Sequence, residues 1–142
     1  MILKIISVLT LIYHPLSVEA IFGGKDVTNP HQYPWIVKIQ SWFDDSNRAG
    51  FCSGSIISKT MVMTAAHCVK KENGNVAKRT IITLGHSNSN SDECLTVVVE
   101  ANKIHPQAFD KTMRKWGNDI ALLQLSKELQ FKKLIQPIDL PN

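Results

Sequence analysis

His67 stands in the stretch "MVMTAAHCVK" (61–70), after a run of small and apolar residues and directly before Cys68. A titratable imidazole in that setting can serve as a general base. To take a proton from a hydroxyl it needs one ring nitrogen open and the other held by a carboxylate. Asp119, which opens the apolar run "DIALLQL" (119–125), is a carboxylate suited to that task, because a charge buried at the start of a strand requires a partner. Taken singly, His67 reads as a packed or surface histidine and Asp119 as a turn or capping residue. Only together do they point to chemistry.

Chain order narrows that chemistry. His67 precedes Asp119 by 52 positions, and no Gly-x-Ser-x-Gly elbow lies upstream. The Ser-Asp-His order of α/β-hydrolases and the Asp-His-Ser order of subtilisins are thereby excluded. His-Asp-Ser is left.

The elements that must hold the pair read as short strands separated by turns. "WIVKIQ" (35–40) alternates apolar with polar, and "DDSNRAG" (44–50) is turn chemistry. "FCSGSIIS" (51–58) and "MVMTAA" (61–66) are compact apolar runs. "KKENGNVAKR" (70–79) is a loop with a turn at Asn73-Gly74. "TIITLG" (80–85), "LTVVVEANKI" (95–104) and the run from Asp119 to Leu125 have strand length, with a polar loop at 86–93. "SKELQFKKLI" (126–135) fits a helical turn or a loop and strand equally. Six short strands without a long amphipathic helix predict an all-β domain, an antiparallel barrel or sandwich.

The bulk properties agree with one secreted domain. A chain of 142 residues can bury an ordinary core. Its net charge of +4, from 16 basic and 12 acidic residues, is dispersed, so neither nucleic acid nor a membrane is an expected partner. "MILKIISVLTLIY" has an apolar core too short to span a bilayer, and Val18 and Ala20 are the small residues signal peptidase prefers. Residues 1–20 are therefore expected to be a secretory signal peptide, with Ile21 as the new N-terminus. Secretion makes Cys52, Cys68 and Cys94 candidates for disulfides, and an odd count leaves one over.

From residue 21 onward the chain resembles the amino-terminal half of a trypsin-like serine protease of the chymotrypsin family. "IFGGKDV" is similar to the Ile-Val-Gly-Gly start of the mature enzymes, and "YPWIVKIQ" to their first barrel strand. "FCSGSIIS" resembles the Cys-Gly-Gly-Ser-Leu-Ile stretch. "MTAAHC" resembles the signature of the general base, and "NDIALLQL" that of the orienting aspartate. "IQPIDLP" resembles the segment leaving the first barrel. The resemblance implies a six-stranded antiparallel Greek-key barrel over 21–142, the first of two. His67 would be the general acid/base and Asp119 the residue that fixes its tautomer. Cys52 and Cys68 would be the disulfide that closes the histidine loop. It further implies protein or peptide substrates, protein protease inhibitors as further partners, and no cofactor. Trp116 would border a substrate subsite.

The sequence departs from the family in four ways. Ala20, not Lys or Arg, precedes Ile21, which predicts maturation without a basic-site zymogen step. His86 follows "LG" where calcium-binding members carry a glutamate, so no calcium is expected in that loop. Cys94 has no partner in this half, so it is expected to be free, to pair with another chain, or to pair with sequence not shown here. No Gly-Asp-Ser-Gly-Gly motif occurs, so the nucleophile is absent; Ser53 and Ser55 lie in an expected strand and are not assigned that role. A zinc site at Cys52, His67 and Cys68 is rejected, because adjacent His and Cys do not readily face one ion and no fourth ligand is evident. The expected function is a secreted serine endopeptidase present as a fragment lacking its C-terminal barrel and inactive alone. The alternative is a catalytically inactive secreted homologue that binds a partner, distinguished by the residue at the downstream nucleophile position.

Overall fold

Alternation of inward and outward side chains builds four of the six strands of this protein. The computed structural model describes residues 24–25, 27–29, 31–44, 48–86, 91–105, 108 and 117–141. The six strands are β1 (Ile36–Trp42), β2 (Gly50–Ile56), β3 (Met61–Thr64), β4 (Arg79–Leu84), β5 (Leu95–Ile104) and β6 (Ala121–Leu125). Val37 and Ile39 of β1, Ile82 and Leu84 of β4, and Leu123 and Leu125 of β6 all point inward and are buried. Their neighbours in sequence point outward, as a period of two requires.

The strands close into one antiparallel barrel in the order β1-β2-β3-β6-β5-β4. β4 returns from beyond β3 to lie beside β1, so the first four strands stand in the order 4-1-2-3 of a Greek key. Closure leaves no free sheet edge. Ile39, Ile56, Val62, Ile82 and Leu123 are at 0% exposure and form the centre of the core. Gly54 has to be small: a Cβ there would lie 2.8 Å from the Met63 carbonyl oxygen and 2.9 Å from Ile39 Cδ1.

All six expected strands form; β5 keeps its expected bounds, the ends of the others shift by up to two residues, and two of these shifts bear on the site. The run at 61–66 leaves the sheet after Thr64, and a 3-10 turn, Ala66–Cys68, follows. Asp119 precedes β6 by two residues and does not open it. The 126–135 segment forms no helix. An isolated bridge joins Lys132 to Ile135, and Leu129, in irregular backbone, and Ile135 turn into the core. Asn73-Gly74 makes the expected turn, with Gly74 at φ 88°. That left-handed backbone is one that glycine adopts without steric cost. Among the described residues no helix is long and apolar enough to cross a membrane.

Candidate active site

The pairing of β3 with β6 brings the two candidate residues together. Thr64 is opposite Ala121 in that ladder, so the ends of the two strands emerge side by side. Past Thr64, Ala65 stays extended and the chain tightens into the 3-10 turn with buried Ala66 and Cys68 on either side of His67. Cys68 is bonded to Cys52 of β2, across a sequence separation of 16 residues. In the chain-entropy model a loop of this size contributes about 3 kcal/mol. The histidine is thereby fixed from both sides, by buried neighbours and by the disulfide.

Asp119 arrives by a different route. The preceding Gly117-Asn118 pair forms a turn in which Asn118 takes the left-handed φ of 55°. Asn tolerates that conformation better than most residues. The turn directs the carboxylate back across the end of the barrel. There Oδ2 meets His67 Nδ1 at 2.8 Å and Oδ1 accepts the His67 backbone N–H at 2.9 Å. The backbone N–H of Ala66 adds to the stabilisation of the carboxylate charge. These are the first N–H groups of the 3-10 turn, which have no acceptor within it. Asp119 is therefore both a partner for the ring and a cap, on a turn 52 residues earlier in the chain.

The electrostatics favour an ionised carboxylate. Burial raises the Asp119 pKa. The ring N–H, backbone N–H and charge of His67, with the Ala66 N–H, outweigh that and hold it below the ordinary value of 3.8. The side chain of His67 is 51% exposed and that of Asp119 only 21%, so the imidazole faces outward over a shielded carboxylate. With the Nδ1 proton given to Oδ2, Nε2 is the nitrogen that can accept a proton from a hydroxyl.

Cys52, His67 and Cys68 offer ligand atoms within 4.8 Å of one another, so the adjacency of His and Cys does not keep them apart. The two sulfurs are spent in the disulfide, and the cluster is a disulfide beside an imidazole. Cys94, half-buried, takes no part in that disulfide. Ser53 and Ser55 stand on β2 and line a groove of about 400 Å³ with Asp119 and Ile120. Neither hydroxyl is hydrogen-bonded to the imidazole. Ile21, Trp116 and residues 1–20 lie outside the described residues. The grip of Asp119 on the His67 backbone was not legible in the sequence; the Gly-Asn dipeptide before Asp119 was its one local sign.

Comparison with known proteins agrees with this geometry. A family model described as Trypsin matches residues 21–142. Phenoloxidase-activating factor 3 of Holotrichia diomphalia is 31% identical over 135 residues, covering 85% of this chain and 37% of that protein. The clotting factor G beta subunit of Tachypleus tridentatus is 30% identical, covering 92% of this chain and 40% of that one. Coagulation factor IX of Oryctolagus cuniculus is 32% identical, with 86% and 41% covered. The chain thus spans about two fifths of the length of the curated relatives it matches. A solved structure described as HL collagenase superposes with a TM-score of 0.65 at 27% identity, covering 80% of this chain and 44% of that one.

Proposed function

The chain belongs to the trypsin family of serine proteases, and on that footing we propose that it carries the general base and orienting carboxylate of a secreted serine endopeptidase. The observation that carries this reading is the double grip of Asp119 on the ring and backbone of His67. As a serine hydroxyl attacks a peptide carbonyl, Nε2 takes its proton, and the Asp119 charge stabilises the imidazolium that forms. The same proton then passes to the departing amine. Neither step calls for a cofactor.

The nucleophile and the donors that stabilise the oxyanion come from sequence outside these 142 residues. The missing Gly-Asp-Ser-Gly-Gly motif and the partial span against relatives support this. The groove beside Asp119, rimmed by half-exposed Ile36 and Ile120, is the face on which those residues would pack. The apolar, small-residue-ending stretch at 1–20, read as a leader, and the disulfide support secretion, and the family implies protein substrates and protein inhibitors. An engaged dyad disfavours the inactive homologue.

The test uses the full-length protein. A serine-directed phosphonate should label it, and peptidase activity should vanish in His67→Ala, while the 142-residue chain alone is neither labelled nor active. Labelling within residues 21–142, or activity indifferent to His67→Ala, overturns the proposal. Two narrower proposals accompany it. Cleavage after Ala20 exposes the Ile21 amine directly, and N-terminal sequencing that begins upstream would refute this. Trp116 walls a substrate subsite, so Trp116→Ala should relax preference two or four residues before the cleaved bond; an unchanged profile would refute that.

A further inference from the structure

Just past His67 the chain runs through "KKENGNVAKR" (70–79), in which four of ten residues are Lys or Arg and one is Glu. The loop lies against the end of β1. Asn75 Nδ2 donates to the Phe43 carbonyl at 3.4 Å, and the Lys78 N–H to that of Trp42 at 2.8 Å. Two of its cations are seated on aromatic faces there. The Arg79 guanidinium lies 4.0 Å from the Trp42 ring centroid, and the Lys71 ammonium 4.7 Å from that of Phe43. Trp42 and Arg79 are cross-strand partners of β1 and β4, so the sheet itself aligns that pair. Both cations are exposed, and no carboxylate among the described residues pairs with either.

A third stack, Lys38 over Phe51 at 5.3 Å, stands on the same β1–β2 sheet. Phe51 is 65% exposed. An aromatic face holds a cation in position without neutralising it. The outward N–H groups of Lys71 and Arg79 remain donors for charge-assisted hydrogen bonds. Because the cations are already ordered, less side-chain entropy is lost when an anion binds them.

We propose that this strip docks an acidic peptide segment of a protein substrate, whose carboxylates meet Lys71 and Arg79 and whose apolar side chains cover Trp42, Phe43 and Phe51. Calling the partner a substrate rests on the protease reading above; the docking surface does not. A peptide fits better than a sulfated polysaccharide. The cations alternate with partly exposed rings, and Asp44 and Glu72 interrupt the positive surface, whereas a polyanion of uniform charge calls for an unbroken basic track.

The test is a binding measurement that needs no catalysis. The full-length protein, first treated with a serine-directed phosphonate so that peptide is not consumed, is titrated into a fluorescein-labelled peptide alternating Glu with Leu and Phe. Lys71→Gln/Arg79→Gln should bind it at least about tenfold more weakly, with an unchanged melting temperature. Lys127→Gln/Lys132→Gln/Lys133→Gln removes more charge from a separate groove and should bind within about twofold of wild type. Equal losses in both variants would mean that only overall charge matters, and would overturn the proposal. So would tighter binding of a sulfated polysaccharide with the same dependence on Lys71 and Arg79. Failure of the phosphonate to label the protein counts against the protease reading alone and leaves the binding result to stand.

Discussion

Replacing Asp119 by Asn separates the dyad's chemistry from its contribution to stability. The side chain keeps its size and one oxygen, which can still accept the His67 backbone N–H now bound to Oδ1 at 2.9 Å. The other terminal atom becomes an NH₂, set against Nδ1 at the 2.8 Å separation where Oδ2 now accepts. Two donors cannot share that contact, so Nδ1 gives up its hydrogen and the ring proton moves to Nε2. The nitrogen that must receive the hydroxyl proton then has no lone pair for it. On the proposed reading, loss of the tautomer is expected to lower kcat of the full-length protein about 10,000-fold, or ~5.5 kcal/mol of transition-state stabilisation. Stability should fall far less. A charge-assisted hydrogen bond is exchanged for a neutral one to a ring that is 51% exposed, which costs only about 0.5–1 kcal/mol. The assays are kcat on a peptide substrate, urea unfolding, and nitrogen NMR of the His67 ring. A kcat within tenfold of wild type, or a proton still on Nδ1, would refute the reasoning.

Three further outcomes are expected. Because the Asp119 pKa is depressed on folding, its stabilisation is complete well above 3.8 and is lost as pH falls through the lowered value. Melting temperature should accordingly drop more steeply on acidification in wild type than in Asp119→Asn, and parallel curves would show that the carboxylate is not held. Gly54→Ala forces a Cβ to within 2.8 Å of the Met63 carbonyl oxygen and should cost about 2–3 kcal/mol in denaturant unfolding; a change under about 0.5 kcal/mol would mean that β2 and β3 are less tightly packed. Cys52→Ala/Cys68→Ala opens a link of 16-residue separation and should lower stability by about 3 kcal/mol, measured the same way; unchanged stability would show that the buried Ala66 and Val69 hold the loop without the link.

Local sequence by itself determined the strands. Period-two alternation in β1 and β4, and the compact runs of β2, β3 and β6, mark them because neighbouring side chains must choose opposite faces of a sheet. It also determined which residues to watch, since "TAAHC" and "NDIALLQL" are contiguous patterns, and the family to which they belong. Segment 126–135 stayed ambiguous because its propensities are balanced, and only the burial of Leu129 and Ile135 against the barrel decides it. The tertiary structure alone decided the rest. Barrel closure sets β6 beside β3, and that pairing, with no local signal, brings Asp119 to His67 across 52 residues. The first N–H groups of the 3-10 turn have no acceptor within it, and the carboxylate satisfies that of His67. Lys71 and Arg79 likewise look in sequence like solvated charges. They become ordered cations because β1 and the loop it receives put Phe43 and Trp42 beneath them, a consequence of which strands meet.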